Sequence, residues 1–174
     1  LVFGAGAIGL LVASWLRVFA AQRVVIAELR PESIRIAHAA GFDTVVNPAA
    51  GELEGLPPFD HTFEAAGAGA ALLAAITSTR DRGTLTVVGR DTRDTVIPLK
   101  TFERLMRREI DLRGCWGYNL THDEAFLLEM LRQDRFPLAH LITHQIALAD
   151  APAMIAAMAE RQLHFCNVLI DMER

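Results

Sequence analysis

At 174 residues, 52% hydrophobic and 22% charged, the chain can fill the core of one domain of ordinary size with a short extension, and its composition excludes disorder. A formal net charge of −4 and a pI near 5.9 offer no basic surface to a phosphate backbone, so nucleic acid is not an expected partner. The two cysteines, Cys115 and Cys166, are too few for a disulfide framework or a structural zinc cluster, and they read as thiols of a reducing, cytoplasmic setting. The uncharged opening, residues 1–16, is shorter than the roughly 18 to 20 residues of a membrane span, is broken by Gly4, Gly6 and Gly9, and lacks a basic leader. Neither a membrane helix nor a signal peptide is expected there. The first residue is not Met, and a piece cut from a longer protein is the expectation.

In chain order, Val2 and Phe3 are strand formers that run into a glycine-rich turn. Ile8, Leu11, Val12, Trp15, Leu16 and Phe19 then recur at helical spacing. "RVVIAELR" (23–30) reads as a buried strand, Pro31 suits a first helical turn, and "ESIRIAHAAG" closes a helix at Gly41. "FDTVVN" is a third strand. This first unit is β-α-β-α-β, with crossovers long enough to make the strands parallel. After the turn-rich "GELEGLPPFD" the alternation resumes: strand "HTFEAAG", helix "AGAALLAAITSTR", strand "GTLTVVG", helix "LKTFERLMRRE" and strand "IDLRGCWG". Six strands with helices between nearly all of them predict a doubly wound α/β fold of the Rossmann type with a six-stranded parallel sheet, over residues 1–136. The remainder, residues 137–174, exceeds that fold. It follows the helix "THDEAFLLEMLRQ", which Thr121 or its neighbour is expected to cap, and holds the strand "ITHQIAL", the helix "APAMIAAMAERQ" and a last strand "CNVLIDM".

Gly4-x-Gly6-x-x-Gly9 lies between a strand and a helix, where the three glycines serve a tight turn, close backbone approach to a pyrophosphate, and close helix-on-strand packing. The helix start adds N–H groups and a positive dipole end for phosphates. Glu28 ends the second strand 19 positions after Gly9, near the ~20 expected of an acid that takes the adenosine ribose hydroxyls. Arg30 could hold the 2′-phosphate of NADP, but Glu28 would repel that phosphate. Unit charges about 4 Å apart at a surface-like dielectric interact by roughly 4 kcal/mol before screening, and NAD is favoured.

No catalytic or metal constellation accompanies the loop. His140 and His144 stand four apart in what reads as a strand, where that separation spans roughly 13 Å, so they cannot share an ion. The charge runs around Arg80, Asp81 and Arg107 read as solvated helix ends, and no Gly-x-Ser-x-Gly elbow occurs.

Over essentially its whole length the chain resembles the nicotinamide-binding domain of the zinc-type medium-chain alcohol and polyol dehydrogenases. The resemblance rests on "VFGAGAIGLL", "VVIAELRPESIRIAHAAGFDTVVNP", "FEAAG", "GTLTVVG", "LRGCWGYN" and "NVLIDM", in the family's order. Within the family, "LMRREIDLRGCWGYN" is most similar to the galactitol-1-phosphate dehydrogenases, with sorbitol and threonine dehydrogenases as relatives. The resemblance implies that Gly6, Ala7, Ile8 and Gly9 hold the pyrophosphate, after the turn at Gly4, and that Glu28 takes the adenosine ribose. It also implies that Ala66 and Gly67 border the cofactor cleft, that Val88 and Gly89 line the nicotinamide side, and that backbone near Cys115 and Trp116 meets the carboxamide. Two positions depart from the family, which often carries a Lys where this chain has Ser33 and a basic residue where it has Asn167; both losses weaken the electrostatics of cofactor binding. In the family a catalytic domain that carries the zinc precedes the cofactor domain, and residues 137–174 would return to pack on it.

The expectation is therefore the NAD-binding portion of an enzyme that oxidises a secondary alcohol of a polyol or polyol phosphate to a ketone, with zinc in a catalytic domain outside this chain and no turnover by this piece alone. A homodimer is expected through the edge strand that starts at Ile110 and ends at Gly117, unless the helix "THDEAFLLEMLRQ" folds back over that edge. Two other readings of the loop remain: a class I methyltransferase that uses S-adenosylmethionine, against which six strands without an antiparallel seventh argue, and a non-catalytic NAD-binding interaction module.

Overall fold

Leu1, Val2 and Phe3 open the chain, and all three are buried. Side chains alternate across a strand, so Leu1 and Phe3 join one cluster with Val25, Ala27, Ile76 and Leu85, while Val2 joins another with Leu10, Ala13, Ile26 and Phe42. Strands apolar on both faces require helices on both sides of the sheet.

The computed structural model describes residues 1–117, 120–133, 136, 138–160 and 162–173, and it builds those layers. The elements run β1 (Val2–Phe3), α1 (Ala7–Val18), β2 (Ile26–Ala27), α2 (Pro31–Ala39), β3 (Val45–Val46), β4 (Phe59–Glu64), α3 (Gly69–Ser78), β5 (Thr79–Val87), α4 (Leu99–Arg107) and β6 (Asp111–Gly114). All six strands pair in parallel in the order β3-β2-β1-β4-β5-β6. α1 and α2 pack on one face through Leu10, Ala13 and Ala37, and α3 and α4 on the other through Ala75, Ile76 and Leu105. This is the doubly wound sheet that the alternation predicts. Between β1 and β4 the winding changes direction, which opens a crevice at the C-terminal ends of those strands.

The helix ends follow their local chemistry. α2 starts on Pro31 and stops before Gly41, whose φ of +83° suits glycine. Arg17 at the last turn of α1 donates to Gly41 O at 2.8 Å and lies 3.9 Å over the Phe42 ring, tying the two helices together. α5 runs Leu120–Arg132, so Thr121 falls inside the helix rather than at its cap, and the position before Leu120 lies outside the described residues.

Several boundaries differ from expectation. The strands expected over 23–30 and in "FDTVVN" pair over only two residues each, at β2 and β3. The helix expected through "AITSTR" ends at Ser78, and β5 begins at once with Thr79. Thr79 is fully buried, and its hydroxyl shares a 2.6 Å hydrogen bond with that of Thr62 and reaches Ala75 O at 2.7 Å. The bond to Ala75 O closes the last turn of α3, while the β-branched side chain and its Thr62 partner across the sheet favour the strand. Arg80 and Asp81 consequently stand on an irregular start of β5 rather than on a helix end, and pair with Asp60 and Arg108.

After β6 come α5, α6 (Leu138–Leu141), β7 (Ile142–Ala147), α7 (Ala151–Ala159) and β8 (Asn167–Asp171). β7 and β8 pair in parallel as a separate two-stranded sheet. His140 lies in α6 and only His144 on β7, so the strand spacing expected between them does not apply; among the described residues no three potential metal ligands gather. α5 does not cover the β6 edge. Phe126 stacks on Trp15 and Phe19 of the α1 region instead, and all four residues of β6 are exposed.

Candidate dinucleotide-binding site

The crevice floor is built from the turn after β1. Gly4, at φ +98°, donates its N–H to Ala27 O of β2 at 2.8 Å, and a Cβ there would stand 3.0 Å from the Ala66 backbone. A Cβ on Gly9 would come within 1.9 Å of Gly4 O, so the first turn of α1 rests directly on the loop. Gly6 behaves differently: its Cβ would meet nothing within 4 Å. Its missing side chain leaves open space beside the start of α1, where no side chain caps the helix. The first N–H groups of a helix have no partner within it and carry the positive end of its dipole, so this opening suits an anion.

Glu28 closes one side. Its carboxylate is almost wholly buried, and Oε2 accepts the Ala5 N–H at 2.8 Å, which ties the end of β2 to the middle of the glycine loop. Oε1 accepts Leu29 N at 2.8 Å and Arg30 N at 3.0 Å, with the Arg30 guanidinium at 3.4 Å. Burial alone would raise the pKa of this acid. The backbone donors Ala5, Arg30 and Leu29, with the Arg30 charge, outweigh burial and hold it below the usual carboxylate value. Glu28 is thus negative at neutral pH, and Oε2 keeps acceptor capacity for a hydroxyl donor.

The opposite side is a knot of backbone from the ends of β4 and β5. Gly67 has φ +63°, and a Cβ on it would lie 2.6 Å from Arg90 O; a Cβ on Gly89 would lie 2.4 Å from Gly67 N. Val88 N and Gly89 N both donate to Glu64 O at 2.8 Å. Ala66, Gly67, Val88 and Gly89 are therefore one packed unit, and Ala66 also borders Gly4. Cys115 N donates to Val87 O at 2.9 Å, which brings its backbone beside Val88, whereas the Trp116 side chain is 83% exposed beyond the end of β6. Ala7 and Ile8 sit at the start of α1 next to Gly6.

Two acids of this cleft were not expected from the sequence. Glu64, 2% exposed, accepts Ala66 N at 2.9 Å and Gly67 N at 2.8 Å through Oε1, and so shapes the turn after β4. Asp91 accepts Gly69 N at the start of α3 at 3.1 Å. The one signal for Glu64 is an acid directly before the small residues of "EAAGAG", where turning backbone needs an acceptor.

Comparison with known proteins places the chain. Residues 7–133 match the family model described as zinc-binding dehydrogenase. The sorbitol dehydrogenase of Macaca fascicularis is 33% identical over 161 residues, 87% of this chain and 43% of that protein. Among solved structures, L-idonate 5-dehydrogenase from Escherichia coli superposes with a TM-score of 0.81 at 24% identity, over 97% of this chain and 48% of that one. Galactitol-1-phosphate dehydrogenase from Escherichia coli gives 0.77 at 19% identity, over 94% and 51%. The chain thus spans about half the length of the proteins it matches.

Proposed function

The chain belongs to the zinc-binding dehydrogenase family, and from that membership we propose that it is the cofactor-binding portion of an NAD-dependent oxidoreductase that converts a secondary alcohol of a polyol or polyol phosphate to a ketone. The observation that carries the cofactor is the open volume at Gly6, bounded by the start of α1 and by the carboxylate of Glu28. A pyrophosphate fits the first and a ribose diol the second. Ala66, Gly67, Val88 and Gly89 form the wall for the nicotinamide end, with the Cys115 backbone beside them and Trp116 just beyond.

Glu28 sets the choice of cofactor in this reading. A buried, ionised acid at the ribose repels a 2′-phosphate, and the nearby Arg30 is already drawn to that acid. NAD is favoured over NADP.

The chemistry itself lies outside this chain. Among the described residues no three potential metal ligands gather, and we assign the family's zinc to a catalytic domain in the rest of the parent protein. When bound there, zinc supplies a Lewis acid and NAD a hydride acceptor. This chain's part is to hold the dinucleotide and exclude water from one side of it. The exposed Ile142, Leu148, Ile155, Leu169 and Ile170 around β7, α7 and β8 support a docking role for residues 137–174 against that domain.

Two chains pair through β6 in this proposal. The strand is at the sheet edge with all four residues exposed, Leu112 among them, and an open row of unpaired N–H and C=O groups invites a second strand. A two-fold axis would join two sheets there.

Titrating NADH and NADPH against the chain at pH 7.5, by the fluorescence of the bound nucleotide, tests the cofactor reading. NADH should bind at least about tenfold more tightly, and Glu28→Ala should narrow the gap. Equal or tighter NADPH binding by the unmodified chain overturns it.

A further inference from the structure

The first turn of α2 meets a segment from the far end of the chain. Ser33, 1% exposed, lies 3.4 Å from Nε2 of His164, which is 131 residues away in sequence. His164 is not on a loose tail. Two residues on, Cys166 packs against the cluster that contains Val2 and Leu10, and its N–H donates to Thr143 Oγ1 at 3.0 Å. The imidazole is thereby held beside the first turn of α2, within electrostatic reach of Glu28 and Arg30 at the ribose side of the proposed site.

Charged groups face it from each neighbouring element. Glu28 and Arg30 come from the end of β2, and Glu32 and Arg35 from α2. From its own segment, Cys166 offers a thiol whose pKa burial pushes up, so it stays uncharged. Burial and then Arg30 lower the His164 pKa from its ordinary 6.5, against the opposing pull of Glu32 and Glu28. The ring is neutral at pH 8 and gains its proton only in the acidic range.

We propose that His164 is a specificity-determining residue of the adenosine-ribose site, one that joins Arg30 and Arg35 as a third cation when protonated and so narrows the preference for NADH over NADPH as pH falls. The inference rests on the cofactor reading above. A ribose 2′-phosphate carries close to two negative charges. Against it stand Glu28 and Glu32, and Arg30 is partly engaged by Glu28. The two acids and the two arginines cancel formally, so one further positive charge makes this corner net positive, and a bound phosphate in turn raises the imidazole pKa.

The test uses the full 174-residue chain with NADH and NADPH at pH 8 and pH 5.5, as the unmodified protein, His164→Gln and His164→Arg. The ratio of NADPH to NADH dissociation constants should fall about three- to tenfold further on acidification in the unmodified protein than in His164→Gln. The change that remains in His164→Gln comes from titration of the nucleotide's own phosphate, which loses charge near pH 6. His164→Arg should show the narrowed ratio at both pH values. Proton NMR of the imidazole should show its titration midpoint rise with saturating NADPH and not with NADH. Equal pH dependence in the unmodified protein and His164→Gln, with NADH still bound, overturns the role of His164 and leaves the cofactor reading intact. Binding of neither nucleotide at either pH overturns both.

Discussion

Gly6 and Gly9 differ by three residues and should respond in opposite ways to a single methyl group. In Gly9→Ala the new Cβ would stand 1.9 Å from Gly4 O and 2.9 Å from its carbonyl carbon. A carbon and an oxygen rest at about 3.3 Å, so the first turn of α1 must retreat from the loop by roughly 1.4 Å. That turn is not free to move, because Leu10 and Ala13 behind it are fully buried against the sheet. Overpacking of this kind costs about 1–3 kcal/mol. In a chain of this length each kcal/mol lowers Tm by about 2–4 °C, which predicts a fall of about 2–12 °C. In Gly6→Ala the methyl enters open space at φ −78°, a conformation any residue adopts. Stability should stay within about 1 kcal/mol of the parent. The same methyl occupies the volume assigned to the pyrophosphate, so NADH affinity should fall at least about tenfold, or 1.4 kcal/mol. Scanning calorimetry reads the first effect and fluorescence titration the second. A folded Gly6→Ala protein that binds NADH like the unmodified chain would refute the placement of the pyrophosphate.

Other consequences follow from the same geometry. Cys115 N–H points at Val87 O, and alternate residues of a strand point the same way, so the Leu112 N–H faces the open edge. Leu112→Pro should therefore give monomers by light scattering while the fold survives; a monomeric unmodified chain, or an unchanged dimer in the variant, contradicts pairing through β6. The chain alone, with or without zinc, should produce no NADH from sorbitol or galactitol 1-phosphate, and zinc-dependent turnover by purified material would remove the assignment of chemistry to another domain. The pKa of Glu28 is lowered in the folded state, so its contribution to stability is present above the usual carboxylate range and is lost as pH falls through the depressed value. Glu28→Gln should lower Tm at pH 7 by the loss of charge-assisted bonds to three backbone N–H groups, about 1.5–3 kcal/mol. That difference should shrink below about pH 4, and a gap that stays constant down to pH 2 would show that the charge contributes nothing.

The parts of the site that could be read from sequence are those in which local sterics and chemistry coincide. Gly4, Gly6 and Gly9 announce a turn, an opening and a close approach through their spacing alone, and Glu28 falls at the right distance because β2 must end beside β1. The sheet was legible from apolar runs bounded by helical periods. Where it failed, tertiary partners overrode local pattern. Thr79 sits in a helical context by letters, yet its hydroxyl finds Thr62 across the sheet. His140 and His144 read as one strand because "HLITHQIAL" is largely apolar and β-branched, but His140 belongs to the helical turn at 138–141. The aromatic packing that draws α5 to Trp15 rather than to the β6 edge joins residues more than a hundred positions apart. Glu64 is marked by its position only once the backbone turns around it, and the contact between Ser33 and His164 spans 131 positions. No periodicity carries such pairings.

Isothermal calorimetry of the 174-residue chain with NADH, with S-adenosylmethionine in a parallel cell, tests the dinucleotide site most directly. Saturable one-to-one binding of NADH, weakened at least about tenfold in Gly6→Ala and absent for S-adenosylmethionine, is the result predicted. Heat of binding for S-adenosylmethionine alone, or no NADH binding by a chain whose folding calorimetry confirms, would contradict it.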